Sequence, residues 1–356
     1  MHKTKFILTF LILVLTTGCN LSASAPTPDL FATLQASTPS IITSPQATQQ
    51  LATPNFNFST ITPTSISSSA QTPVPSPSTS DQPSGHIAFT CQIFKDQGSE
   101  QICIMKADGS DFKRLTTENN IRHFYPSLSP DGQSVLYSAF FEQNNYEIYR
   151  LNINDGSLER LTNILGVDDA PEVSPNGEQI VFMHNSPIKD INQIVTMDHN
   201  GKNIGNVPQV NGWDPTWSPD GKLILFASDK NGTNQLYTVR PDGENLKKIT
   251  NLPAIRGRSD WSSDGQYIVT YSGEPWHREL YIMNADGSNV HQLTPSGGNS
   301  QGPSFSPDGK WVAFTAYFDH PNEDNGCEIY IIRIDGTDLR RLTNNDYCDY
   351  QPRWGP

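Results

Sequence analysis

Basic residues are scarce in this chain of 356 residues. Only 24 Lys and Arg stand against 37 Asp and Glu, a formal balance of −13, and no Lys or Arg occurs between Lys5 and Lys95. A body so charged offers phosphates no counter-charge and is repelled by anionic lipid surfaces, which argues against nucleic acid as a partner. Long apolar runs are missing too: the run Phe6 to Leu15 is too short to span a bilayer. There is no His-Glu-x-x-His, phosphate loop or dinucleotide fingerprint, and the chain reads as lacking the nucleophile elbow of an attached hydrolase domain. The eight histidines are scattered, and the five cysteines contain no Cys-x-x-Cys pair that would suggest a metal centre. The expectation is a protein without catalytic machinery, cofactor or resident metal.

What the chain has is a period. Ser129-Pro130-Asp131-Gly132 returns at Ser174-Pro175-Asn176-Gly177, Ser218-Pro219-Asp220-Gly221, Ser262-Ser263-Asp264-Gly265 and Ser306-Pro307-Asp308-Gly309, at steps of 45, 44, 44 and 44 residues. A fixed spacing of this size means one supersecondary unit copied along the chain. Each tetrapeptide is a tight turn: proline presets φ, Asp or Asn tolerates the next position, and Gly supplies the positive φ.

Short β-branched and aromatic runs follow the turns, as at Leu223-Ile224-Leu225-Phe226, and a second run precedes an Asp-Gly or Asn-Gly turn. A third closes on Leu-Thr or Ile-Thr, except that the copy after Gly201 reads Ile204-Gly205-Asn206-Val207. A fourth strand lies before each tetrapeptide. Four antiparallel strands per repeat predict an all-β fold, a six-bladed β-propeller over residues 85–356. The first repeat has no tetrapeptide, and the last ends at Pro352-Arg353-Trp354. The C-terminal strand is therefore expected to join the N-terminal blade as its inner strand and remove the open edges.

Lys3 and Lys5 precede the short apolar run, and Thr17-Gly18-Cys19 follows it. This resembles the lipobox of bacterial lipoproteins, with Thr16 where Leu is usual. It predicts a signal peptide at 1–18 and lipidation of Cys19. The rival cleavage site, Ala23-Ser24-Ala25, would leave Pro26 just after the cut. Residues 19–84 are rich in Ser, Thr and Pro, too poor in apolar groups to fold, and read as a disordered tether. Such a tether has a random-coil reach of about 40–50 Å. Loss of Lys3 and Lys5 leaves 22 basic residues facing 37 acidic ones. The lipid alone, then, would hold the protein to a membrane.

Four cysteines remain after Cys19, an even number that favours disulfides in an exported protein. Of the three pairings, the blade model favours Cys91–Cys103, across one hairpin, and Cys327–Cys348, which would brace the meeting of the chain ends.

The repeat explains several residues that look like a site. Asp131, Asp220, Asp264 and Asp308 are turn residues, and Trp217, Trp261 and Trp354 share their position with Leu128, Val173 and Phe305, so they read as core. The segment 319–326 has carboxylates and a closing glycine that suggest calcium, but Pro321 and the spacing favour a solvated hairpin. The repeats disagree at the start of each inner strand, where the segments converge on one mouth of the central channel. There lie His123, Tyr125, Asp168, Asp169, Trp213, Asp214, Arg256, Arg258, Asp260, Gln301 and Tyr350. Such a set is expected either to bind a polar ligand or peptide or to form internal salt bridges.

Pro215-Thr216-Trp217-Ser218-Pro219-Asp220-Gly221, and Glu328-Ile329-Tyr330 running to Arg341-Leu342-Thr343, are similar to the pattern of the TolB-type propeller repeat family. The resemblance covers residues 85 to 356. It implies either a periplasmic partner-binding propeller or the gate domain of a serine peptidase. An N-terminal α/β domain found in the family is replaced here by the tether. Together these features predict a lipid-anchored, extracytoplasmic, monomeric binding or scaffold protein, periplasmic or on the cell surface, whose partner is an envelope protein or cell-surface ligand. The alternative is a lyase, a hydrolase or a carbohydrate-binding module with its site at the channel mouth.

Overall fold

The computed structural model describes residues 82–93, 100–118, 120–142, 145–255, 257–318 and 326–356. The chain divides into Met1–Thr72 and Pro73–Pro356, and every described residue belongs to the second unit. The signal segment, Cys19, the tether as far as residue 81, Arg256 and residues 319–325 of the expected calcium loop lie outside the described residues.

The strands are β1 (His86–Gln92), β2 (Glu100–Lys106) and β3 (Lys113–Arg114), then β4 (Arg122–Leu128), β5 (Ser134–Glu142), β6 (Asn145–Asn152) and β7 (Leu158–Arg160). Next come β8 (Val167–Val173), β9 (Gln179–Ser186), β10 (Ile191–Asp198) and β11 (Gly205–Asn211), followed by β12 (Trp213–Trp217), β13 (Ile224–Ser228), β14 (Gln235–Val239) and β15 (Lys247–Lys248). The chain finishes with β16 (Asp260–Trp261), β17 (Tyr267–Ser272), β18 (Glu279–Asn284) and β19 (His291–Gln292), then β20 (Gln301–Phe305), β21 (Trp311–Ala316), β22 (Glu328–Arg333), β23 (Arg340–Arg341) and β24 (Asp349–Gly355).

These strands build an all-β propeller of four-stranded antiparallel blades. Four sheets stand alone: β24-β1-β2-β3, β12 to β15, β16 to β19, and β20 to β23. The fifth has eight strands, in which a single parallel bridge, Tyr146 to Val167, joins the antiparallel groups β4–β7 and β8–β11. The innermost strands touch in the order β24, β4, β8, β12, β16, β20 and back to β24.

The repeated turn holds itself together through its own side chains. Ser218 Oγ accepts from Leu223 N–H at 2.9 Å and donates to Asp220 Oδ1 at 2.7 Å, which also accepts from Lys222 N–H. Gly221 takes φ +69°, and its N–H closes on Ser218 O at 2.8 Å. Ser174 and Asn176 do the same with an amide in place of the carboxylate. The Ser hydroxyl beside Asp131, Asp220 and Asp264 holds those carboxyls below their ordinary range, as expected of hydrogen-bonded turn carboxylates.

The Leu-Thr ending also has a mechanical reason. Thr250 Oγ accepts from Leu236 N–H at 2.9 Å and donates to Gln235 at 2.7 Å, pinning the outer strand to its neighbour. Thr294 does this with Leu280 N–H and Glu279, and Thr343 with Ile329 N–H and Glu328. The copy without the motif uses a longer outer strand instead, the seven residues of β11.

Apolar residues pack between the sheets. Ile87 and Phe89 of β1 share a buried cluster with Trp311, Ile329 and Ile331 of the β20–β23 sheet and with Trp354. Trp217, Trp261 and Trp354 are all buried, the core role that the repeat assigned them. Cys91 is bonded to Cys103 with Cα atoms 5.9 Å apart, and Cys327 to Cys348 at 4.5 Å. The second bond joins the start of β22 to the segment leading into β24.

Candidate binding site at the channel mouth

The innermost strands share an irregularity four residues before the turn serine. Tyr125, Ala170, Asp214 and Gly302 have φ of +53°, +50°, +50° and +59°, and Gln351, aligned with them, has +55°. Each pairing ladder slips beside that residue, as in a β-bulge, which bends the strand and re-aims the side chain. In the remaining copy the position is Arg258, which follows Gly257 at φ +130°.

Side chains at this level meet both across the ring and between adjacent strands. Arg258 lies over the Tyr125 ring, 5.5 Å from its centroid, and its Nη2 donates to Pro126 O at 2.9 Å. Gln351 Oε1 accepts from Tyr125 N–H at 2.9 Å and from Thr90 Oγ at 3.0 Å. Gly257, at φ +130°, disfavours a side chain, and a Cβ there would push against the Asp214 carboxylate.

Two residues nearer the turn, a polar network ties the inner strands together. Arg353 Nη2 lies 2.7 Å from Glu172 Oε2, and Nη1 lies 3.3 Å from Asp260 Oδ2. Thr216 donates to Glu172 and Ser304 to Asp260, each at 3.0 Å, and Phe305 N–H donates to Asp260 at 2.9 Å. Strands β8, β12, β16, β20 and β24 all contribute. One guanidinium thus sits between two carboxylates from separate blades and forms a floor beneath Tyr125, Asp214 and Arg258.

Above that floor, carboxylates outnumber cations among the described residues. Burial, then the charges of Asp214 and Asp168, push the Asp169 carboxyl well above its ordinary value. Burial also raises Asp214, opposed by Arg258 and Arg353, and Glu172, opposed by Arg353. The Arg258 guanidinium is pushed down to about 10 by burial and by Arg353. Tyr125 is driven well up by burial and by Asp214 and Asp169. A half-buried, charge-crowded cluster of this kind marks a candidate site.

The structure brings together Tyr125, Asp169, Asp214, Arg258 and, in the floor, Asp260. Other expected residues lie elsewhere. His123 is fully buried, its Nδ1 3.3 Å from Glu100 O, and burial lowers its pKa. Asp168 is also fully buried, paired through Oδ1 to His184 Nδ1 at 2.6 Å. Gln301 accepts from Arg278 at 2.6 Å, and Tyr350 packs with Tyr317 and the Cys327–Cys348 bond. Trp213 packs against the core cluster of Leu225 and Trp261. Gln351 and Gly257 were not singled out in the sequence, although aligning Pro352 with Pro215 places Gln351 opposite Asp214.

One expectation needs correction. A Gly-x-Ser-x-Gly string is present, at Gly298-Asn299-Ser300-Gln301-Gly302. It is not a nucleophile elbow, which exposes its serine on a strand-to-helix turn. Ser300 is fully buried at the start of an inner strand, and its Oγ donates to Glu279 at 3.2 Å.

Asp349 gives the seam a pH dependence. It is buried beside Glu328, and burial with that charge raises its carboxyl to about 7, despite a hydrogen bond from Asn345. Thr343, Asn345 N–H and Arg341 hold Glu328 in turn. The folded state holds the Asp349 proton more tightly than the unfolded chain does. Its contribution is therefore favourable at low pH and lost as pH rises from about 4 toward 7, on the order of a few kcal/mol. Asp349→Asn is expected to lie nearest the parent at about pH 4, below the range of the loss, and to exceed it in urea midpoint at pH 8. A lower midpoint at pH 8 would refute the assignment.

Comparison with known proteins agrees with this architecture. The family model of the TolB beta propeller domain matches residues 84–316 and 247–356. The chain is 29% identical over 133 residues to the uncharacterized protein Atu1656 of Agrobacterium fabrum, covering 37% of this chain and 44% of that protein. It is 26% identical over 115 residues to the Tol-Pal system protein TolB of Francisella tularensis, covering 32% and 26%. The matches thus span less than half the length of these relatives. Among solved structures, TolB from Acinetobacter baumannii superposes with a TM-score of 0.68 at 24% identity, covering 76% of this chain and 67% of that one. The hydrazine synthase of Kuenenia stuttgartiensis gives 0.62 at 16%, covering 76% and 46%. At such identities the structural likeness speaks to the fold alone. Repeat, blades and family model agree, and this chain belongs to the TolB beta propeller domain family.

Proposed function

We propose that this protein is a lipid-anchored, extracytoplasmic binding or scaffold protein that recognises an envelope protein or cell-surface ligand at the channel mouth. In this reading residues 1–18 are the signal peptide, Cys19 carries the lipid, and residues 19–84 are the tether. Residues 85–356 form a monomeric six-bladed propeller closed by β24. The order of contact among the innermost strands and the pairing of β24 with β1 support six blades and closure. The two disulfides and the lipobox-like segment support export. The name of the Francisella relative supports a role in the envelope.

One observation carries the binding role. The bulge position puts Tyr125, Ala170, Asp214, Gly302 and Gln351 on a shared backbone geometry while the side chain changes from blade to blade. A fixed frame with variable side chains is the arrangement of a recognition surface. Site-specific photo-cross-linking in native envelopes tests it. A benzophenone amino acid at Gln351 is expected to give a discrete adduct that weakens with Asp214→Asn, while one at Phe112 on the rim gives none. Adducts from the rim alone would exclude the mouth.

A further inference from the structure

We infer that the channel mouth is assembled by thiol oxidation: β24 seats stably on β1 only once Cys327 and Cys348 are joined, so the dithiol chain lacks the complete binding surface. The inference rests on the recognition reading and names the regulation of that site. β24 brings two residues to the mouth. Gln351 Oε1 accepts from Tyr125 N–H at 2.9 Å, and Arg353 Nη2 lies 2.7 Å from Glu172 in the floor. With β24 displaced, both contacts are lost and the funnel opens on one side.

The leading end of β24 is its weakly held part. The ladder with β1 slips between Ala88 and Thr90, and beyond the slip only Thr90 with Tyr350 and Cys91 with Asp349 remain paired. Gln92 adds two bonds at the edge, its N–H to Cys348 O at 3.0 Å and its Oε1 from Cys348 N–H at 3.1 Å. Across the seam, Asp349 N–H donates to Cys327 O at 2.8 Å. The residue after each of these two cysteines works against that approach. Glu328 and Asp349 are both buried, and their charges repel once Asp349 loses its proton. The Cys327–Cys348 bond straps that repelling pair together.

The two disulfides differ in what they tie. Cys91–Cys103 lies within the β1–β2 hairpin of one sheet. Cys327–Cys348 joins the start of β22, in the β20–β23 sheet, to the segment entering β24, in the sheet of β1. Its sulfurs are buried, so exchange takes place while β24 is still away. One thiolate then attacks the disulfide of an extracytoplasmic protein donor, and the second displaces that donor as a dithiol. The electron pair and both thiol protons pass to the donor. Closing this loop of 21 residues favours the seated strand by about a hundredfold. In a reducing cytosol the bond does not form, which keeps the mouth incomplete until export.

Amide hydrogen exchange on the full chain tests this. In the Cys327→Ser, Cys348→Ser variant the amides of β24 are expected to exchange about a hundredfold faster than in the parent, while those of β13 and β14 keep their rates. The Cys91→Ser, Cys103→Ser variant should leave β24 as protected as in the parent. Wild-type chain reduced in urea and refolded with a dithiol present repeats the first measurement without substitution, and oxidised glutathione should then restore protection. Unchanged β24 rates in the variant and the reduced chain overturn the inference. Equal acceleration in every blade does so too, as does failure of both forms to fold, since the bond would then hold the whole fold and not the seam. The benzophenone at Gln351 separates this inference from recognition itself. Adducts that vanish on reduction and return on oxidation support both. Equal adducts from oxidised and reduced chains sink the inference and leave the mouth reading standing. No adduct in either state, with β24 loosened by reduction, removes the recognition reading while oxidation-dependent seating stands.

Discussion

A chain that stops at Asn345 is expected to lose its cooperative unfolding transition and to aggregate, as followed by tryptophan fluorescence in urea and by light scattering. The cut removes β24, whose pairs with β1 include Ile87 with Trp354, Ala88 with Arg353 and Cys91 with Asp349. Burial of Tyr350 and Trp354 contributes about 1.5–3 kcal/mol each. The Cys327–Cys348 bond closes a loop of 21 residues, a constraint that stabilises by about 3 kcal/mol. With the Arg353 contacts added, the loss approaches the total stability of a typical domain, about 5–15 kcal/mol. The exposed edge would be β1, in which Ile87, Ala88 and Phe89 are wholly buried in the intact protein. An unprotected apolar edge strand is a template for aggregation. A synthetic peptide of residues 346–356 should restore part of the transition in trans. A truncated chain that melts sharply near the parent's midpoint would show that β24 does not hold the fold.

Arg353→Met is expected to lower stability by about 3–5 kcal/mol, since removing one partner of a buried ion pair leaves the other charge uncompensated. Here two carboxylates are stranded, Glu172 and Asp260, with only Thr216, Ser304 and the backbone N–H groups of Trp261 and Phe305 hydrogen-bonded to them. Methionine keeps most of the side-chain volume, so the loss measures charge rather than a cavity. Lysine should rescue poorly, because it cannot extend two nitrogens in a planar fork toward both carboxylates. Adding Glu172→Gln and Asp260→Asn to the methionine variant should recover much of the deficit, and lowering the pH should help that variant more than the parent. A methionine variant within about 0.5 kcal/mol of the parent would remove Arg353 from its structural role.

The blades were legible because the repeat states the same local chemistry five times. A Ser-Pro-Asp-Gly turn fixes where one strand ends and the next begins, and Thr250 or Thr294 fixes the outer edge, all within about twenty residues. The cysteine pairs followed from placing those blades side by side. The mouth was legible as a region and not residue by residue. In an extended strand, adjacent side chains face opposite ways, and a slip of one residue exchanges the faces. The bulge beside Tyr125, Ala170 and Asp214 introduces such a slip. His123 and Asp168 therefore turn into the seam while Asp169 and Asp214 turn inward, a distinction that composition does not carry. The floor was hidden for another reason: Arg353 meets Glu172 and Asp260 over separations of 181 and 93 residues, and no local pattern links them. The Gly298–Gly302 string shows the converse, a spacing that is present without the fold that gives it meaning.

The left-handed residue in the inner strands has a consequence for how this surface can change. A non-glycine residue held there carries a strain on the order of 1–2 kcal/mol, and Gly302 is the one glycine among Tyr125, Ala170, Asp214, Gly302 and Gln351. Glycine would relax the backbone at the other four, so their side chains persist against a standing local penalty. Because the geometry belongs to the backbone, a substitution there exchanges one side chain in the funnel without moving a turn, a disulfide or a neighbouring blade. Specificity can thus be rewritten one blade at a time, and related proteins could share a nearly superimposable disc while reading unrelated ligands.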